Sequence, residues 1–432
     1  MSDSLRFPGG FLWGAATSSY QVEGNNHNNQ WWAWEQEGGH IEDGTVSGLA
    51  CDHYNRFQED FALAQELGHN AHRFSIEWSR IEPEEGRWDE KEVEHYRRVV
   101  ESVREHGMVP FVTLHHFTNP LWFERLGAWT NPRAPELVAR YAGHMAKALG
   151  GAVPFWLTIN EPSVTPAGGY MTGEFPPCER DMNKAMAAAK HILIALGTMH
   201  QAIKENALHD PPVGPVINMT YVQPASDSEE DSRAARILDR YLNSYWLDGL
   251  RDGVVGPPAE GREEAPGLKG AWDFVGVNYY SRARVKAGPP PTLIEQLSPD
   301  ANAETSTMGW EVYPEGFYHC LMRGASYGVP VYITENGIGT DDDEQRSRYI
   351  VRHLREAQRA ISEGADIRSY LHWCFQDNFE WTRGFRQKFG MVATRPGTLD
   401  RLPKPSAYMF RDIARENGVT PEIIERYLEG DR

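Results

Sequence analysis

Two glutamates stand in matching contexts along the chain. Glu161 follows the apolar run LTIN and Glu335 follows VYIT; each sits beside an asparagine, Asn160 or Asn336, and just ahead of a proline or glycine that ends the run. A carboxylate at the end of an apolar strand cannot pack into a core and must face water, a cation or a substrate. Either glutamate alone would fit a strand-end ion pair. Two of them in one pocket are the equipment of glycosidic bond cleavage, where one carboxyl gives a proton to the leaving oxygen and the other attacks the anomeric carbon. Arg73, His115, His116, Asn278 and Tyr280 fall near the ends of further apolar runs. A fold is needed that brings these ends to one place.

The pattern along the chain supplies one. Strand-like runs at 11–18, 71–78, 109–116, 154–161, 213–219, 273–280, 329–336 and 369–375 alternate with helical patterns. The helical stretches are 52–68, 90–106, 134–149, 181–205, 231–250, 314–327, 343–363 and 406–416. In the first of these, Phe57, Phe61, Ala64 and Leu67 share a face and Gly68 marks the stop. Eight strand and helix units predict an α/β chain closed as a (β/α)8 barrel, one catalytic domain over residues 1–432, with the site at the C-terminal ends of the strands. Irregular stretches are expected at 161–180, 281–313 and 376–403, on the face where sites are built. No GxGxxG or Walker loop follows an early strand, which argues against nucleotide binding.

Composition narrows the partners. The formal charge of −18 disfavours nucleic acid and anionic lipid. No window resembles a membrane span and the start MSDSLRFPGG does not read as a signal peptide, so a soluble, cytoplasmic protein is expected. Cys51, Cys178, Cys320 and Cys374 are far apart with no CxxC pair, and no HExxH occurs; reduced thiols, no metal and no cofactor are expected. Adjacent His115 and His116 point to opposite faces of a strand and cannot both bind one ion. One sequon, Asn218-Met-Thr220, matters only in a secreted chain.

The segments FLWGAATSSYQVEG, RFSIEWSRIEP, LTINEPSVTPAGGY, DFVGVNYY, GWEVYPEGF, YITENG and HWCFQDNFEWTRGF occur in this order between residues ~7 and ~410. Together they resemble glycoside hydrolase family 1, the β-glucosidase family. The resemblance implies a retaining β-glycosidase acting on terminal β-D-glucosyl residues, with galactosyl or fucosyl as further glycones, through a covalent glycosyl-enzyme. It implies Glu335 as nucleophile and Glu161 as general acid/base. Arg73, at the end of the second strand, would keep Glu335 ionised; a plain buried ion pair is the other reading. Tyr280 would hydrogen-bond the nucleophile. Gln21 and Glu380 would grip the 3-, 4- and 6-hydroxyls, Asn160 the 2-hydroxyl, with His116 and Asn278 also among the sugar contacts. Trp373, Trp381 and Phe389 would form aromatic walls, whereas Trp31, Trp32, Trp34, Trp88 and Trp246 are read mostly as core.

The chain departs from the family's habits at Phe117, where tryptophan is common, at Cys374, usually serine, and at Lys388, often arginine. These bear on specificity and leave the reaction type untouched. A 6-phospho-β-glycosidase is the nearest rival, but that branch carries Ser, Lys and Tyr where this chain has Glu380, Gln387 and Phe389, and Glu380 would repel a phosphate. A sugar-binding homologue without turnover is expected to have lost one glutamate. Transglycosylation uses the same two carboxylates as hydrolysis and is not separable from it by sequence.

Overall fold

The computed structural model describes residues 4–256, 263–289 and 293–429. All eight expected strands form: β1 (Leu12–Ala16), β2 (Ala71–Ser75), β3 (Val109–His115), β4 (Phe155–Asn160), β5 (Val213–Asn218), β6 (Val275–Tyr279), β7 (Val331–Asn336) and β8 (Ile367–Trp373). They pair in parallel and in sequence order, with β8 closing on β1, so the sheet is a barrel. The connecting helices are α1 (His53–Glu66), α2 (Glu90–Glu105), α3 (Ala134–Leu149), α4 (Met182–Asn206), α5 (Glu229–Asp239), α6 (Pro314–Ala325), α7 (Asp343–Ser362) and α8 (Pro405–Glu416). Acidic caps start several of them: the Asp89, Asp181 and Asp342 carboxylates accept backbone N–H groups of the first turns of α2, α4 and α7.

Strands buried on both faces explain the near-continuous apolar runs in the sequence. Outward residues pack against the helices in the main core, which includes Trp13, Trp156 and Trp246. Inside the barrel a separate cluster of Ala71, Phe111, Leu157, Val216, Phe274, Tyr332 and Leu371 fills the space below the strand ends. Phe111 and Phe155 stack there with centroids 4.5 Å apart.

Two expectations need correction. Residues 281–313 are not irregular throughout: Arg282–Ala287 forms a strand that pairs with Tyr221–Pro224 and with Ile294–Gln296. The alternation RARVKA, with Ala283 and Val285 buried, carried that signal. Pro290, Pro291 and Thr292 of this stretch lie outside the described residues. The helix expected over 231–250 is interrupted by a π turn at Arg240–Ser244. There the buried Asn243 amide donates to Thr220 O at 2.8 Å, and the Tyr241 hydroxyl donates to Ser163 O at 2.8 Å, so two side chains are drawn toward loops at the strand ends.

Candidate active site

The carboxylates of Glu161 and Glu335 come to the same cavity, of about 320 Å³, at the C-terminal end of the barrel. Glu335 lies within β7 where the ladder registers with both neighbours slip, and Gly337 lets the chain turn: a Cβ at Gly337 would stand 1.8 Å from Trp373 O. Glu161 follows β4 with φ +48, and two further residues lining the cavity, Phe117 (φ +69) and Trp381 (φ +51), also have left-handed backbones. Such conformations cost about 1–3 kcal/mol each and gather where side-chain placement overrides backbone preference.

The two carboxylates have different partners. Glu335 accepts from Arg73 Nη1 and from the Tyr280 hydroxyl, each at 2.5 Å. Arg73 is fully buried; its Nε donates to Thr113 Oγ1 at 3.1 Å and its Nη2 to Asn160 Oδ1 at 2.6 Å. Glu161 accepts from a neutral amide, Asn278 Nδ2, at 2.9 Å. Asn278 is itself oriented by the Thr334 hydroxyl, 2.7 Å from its Oδ1. Burial, followed by the nearby Glu335 charge, pushes the Glu161 carboxyl up to about 8. Burial also raises Glu335, while the Arg73 charge and the Tyr280 hydrogen bond pull it back. The pair therefore favours the proton on Glu161 and the negative charge on Glu335.

Around them lie most of the residues expected from sequence. His116 lines the cavity between Trp373 and Trp381, near-parallel to both rings at 5.8 and 6.1 Å. Asn160 Nδ2 is 3.2 Å from His116 Nε2, and burial lowers the imidazole so that it is neutral. His115 points the other way, edge-on to Trp129 at 5.2 Å with Nε2 2.8 Å from Asn119 Oδ1, as strand alternation requires. Glu380, Trp381 and Phe389 line the cavity, and burial with the Glu335 charge raises Glu380 to about 8. Gln21 and Asn278 are placed differently. Both are fully buried behind the cavity wall; Gln21 Nε2 donates to Glu380 Oε2 at 3.1 Å and to Phe379 O at 2.9 Å.

Trp31 and Trp34, read as core, belong to a second aromatic cluster with Tyr20, Phe117, Phe379 and Trp381 that backs the cavity, so they support its wall and not the barrel. Sequence reasoning missed Glu174, Phe175, Met308 and Trp310, which line the mouth from loops; only the position of those loops after strand ends hinted at them. Asn218, the sequon residue, also lines the cavity. A groove of about 450 Å³ on the outside of the barrel, between α3 and α4, has Glu136 as its one acidic residue and no second carboxylate. Among the described residues, no group of three or more His, Cys, Asp or Glu side chains is arranged to hold a metal ion, and no helix is long and apolar enough to cross a membrane.

A closed parallel (β/α)8 barrel with two unlike carboxylates and aromatic walls at its strand ends is the framework of a retaining β-glycosidase. Comparison with known proteins agrees. The family model for glycosyl hydrolase family 1 matches residues 3–419. Beta-glucosidase A of Thermotoga maritima is 34% identical, with 96% of this chain and 99% of that one aligned. A structure of the Thermotoga maritima beta-glucosidase in complex with glucoimidazole superposes with a TM-score of 0.90 over 96% of this chain and all of that one, at 34% identity. A beta-glycosidase from Pyrococcus horikoshii is 39% identical, with a TM-score of 0.92 and 98% of each chain covered. The 6-phospho-beta-glucosidase GmuD of Bacillus subtilis is 30% identical over 96% of this chain and 99% of its own. The chain belongs to glycosyl hydrolase family 1.

Proposed function

We propose that this glycosidase releases terminal β-D-glucosyl residues, and secondarily galactosyl or fucosyl residues, from oligosaccharides and aryl or alkyl glycosides, with Glu335 as nucleophile and Glu161 as general acid/base. The observation that carries the assignment is the inequality of the two carboxylates: a buried cation and a phenol on Glu335, a neutral amide on Glu161. In the first step Glu335 attacks the anomeric carbon while Glu161 passes its proton to the departing oxygen, leaving a glycosyl ester on Glu335. Esterification removes the charge that holds the Glu161 proton, so Glu161, now ionised, is suited to take a proton from water. Water then cleaves the ester with a second inversion, restoring both groups.

Asn160 and His116 on one side and Glu380, with Gln21 behind it, on the other are the proposed hydroxyl contacts; Trp373, Trp381 and Phe389 suit the C–H faces of the sugar. Asn278 acts through Glu161, holding its orientation. A carboxyl at 380 disfavours a 6-phosphate, which keeps the phosphorylated glycone as the weaker alternative. A cytoplasmic setting, with no cofactor, is part of this reading; the four unpaired cysteines suit a reducing compartment. The test is turnover of 4-nitrophenyl β-D-glucoside followed by NMR. The expected first product is β-glucose, slowly mutarotating; α-glucose as first product, or turnover of the 6-phosphate alone, contradicts the proposal. Comparing free glucose with nitrophenol released separates hydrolysis from glycosyl transfer to an acceptor.

A further inference from the structure

Glu380 and Trp381 reach the cavity from a tight turn. The Glu380 N–H donates to Gly384 O at 2.7 Å, the Gly384 N–H donates to Trp381 O at 3.1 Å, and Gly384 has φ +62. A short loop closed on itself needs an outside contact to fix its position. That contact comes from residues 41–45, more than three hundred positions earlier. Asp43 Oδ2 accepts the Phe385 N–H at 2.8 Å, and its Oδ1 accepts the Thr45 N–H at 3.0 Å and the Thr45 hydroxyl at 2.5 Å. The Glu42 N–H donates to Thr382 O at 2.8 Å, and Ile41 is buried in the same aromatic cluster as Trp381. Gly384 lies so close to Asp43 that a Cβ there would sit 2.0 Å from Oδ1.

Two charged contacts join the segments, and they differ in kind. The Arg383–Glu42 ion pair is 41% exposed on both sides and contributes little. The Asp43 carboxylate is exposed too, but it accepts backbone N–H groups of both segments at once, an arrangement that fixes backbone position. We propose that Asp43 is a positioning residue for glycone recognition: it ties residues 41–45 to the Gly384–Phe385 backbone and so sets where the Glu380 carboxylate and Trp381 ring stand. The inference rests on the reading of Glu380 and Trp381 as sugar contacts. It places the effect on substrate affinity, because Asp43 touches neither Glu161 nor Glu335.

Steady-state kinetics on 4-nitrophenyl β-D-glucoside test it. Asp43→Ala should raise KM about tenfold with kcat within about threefold, and Asp43→Asn, which keeps one carbonyl acceptor but sets its NH2 against the other N–H, should raise KM by about three- to fivefold. Glu42→Ala, which removes only the exposed pair, should change KM by less than about twofold. Glu380→Gln is the control and should raise KM. If Glu380→Gln raises KM while Asp43→Ala does not, Asp43 has no positioning role. If Glu380→Gln leaves KM unchanged, the glycone assignment fails and takes the inference with it. A fall in both kcat and melting temperature in Asp43→Ala would mark a general folding defect and would also overturn it.

Discussion

Two residues along a strand change the character of the barrel interior. Ala71, Phe111 and Tyr332 belong to the apolar plug, and Arg73, Thr113 and Thr334 stand one side-chain layer above them on the same strands. Phe274, Gly276 and Asn278 follow the same progression, with Gly276 leaving room for Thr334, whose Cγ2 would lie 2.9 Å from a Cβ there. The lower layer is apolar but for the Tyr332 hydroxyl, which is hydrogen-bonded to Arg368, and collects burial free energy. The upper layer gathers a buried arginine, three carboxylates with raised or opposed titration, and three non-glycine residues with positive φ. A barrel built this way gains stability at one end and holds costly groups in place at the other.

Substitutions at the two ends should therefore separate activity from stability. The largest effect is expected from Glu335→Gln, which should lower kcat/KM by about 10⁴-fold or more while leaving the melting temperature level or higher, measured by steady-state kinetics and thermal scanning. Next is Phe111→Ala, which should destabilise the fold by about 3–5 kcal/mol in denaturant unfolding, yet leave kcat/KM of the folded protein within a few fold. An equal loss of activity would mean that the plug and the site are not separable. Tyr280→Phe removes one hydroxyl from Glu335 and should cost about 10–100-fold in kcat.

The pH profile sharpens the same contrast. With Glu161 as the proposed acid, kcat/KM should fall about tenfold per unit above about pH 8, the value to which burial and Glu335 push that group. Glu380 is raised to the same range, so Glu380→Gln should retain the alkaline limb if Glu161 causes it. The smallest effect expected is on stability: Glu161→Gln removes a buried group opposed to Glu335 and should raise the melting temperature by a few degrees, where a plug substitution lowers it.

Much of this was legible in the sequence, for physical reasons. Strands covered on both faces must be apolar runs, so all eight showed, and a polar residue ending such a run stands out, as Glu161, Glu335, Arg73 and His116 did. The alternation rule sent His115 and His116 to opposite faces correctly. What did not show depends on contacts distant in sequence. Nothing local to Asp43 indicates that it meets Gly384, and Trp31 looks the same whether it packs on a helix or on Trp381 at 4.7 Å. Gln21 and Asn278, expected as sugar contacts, are fully buried beside the cavity, and each donates to a carboxylate that lines it, a placement that no motif shows.

The central claim, that Arg73 and Tyr280 make Glu335 the anion and hence the nucleophile, is tested most directly by trapping the intermediate. Incubation with an activated 2-deoxy-2-fluoro-β-D-glucoside, followed by digestion and mass spectrometry, should place one fluoroglucosyl group on the peptide containing Glu335. A label on the Glu161 peptide, or rapid turnover with no label on either, would contradict the account.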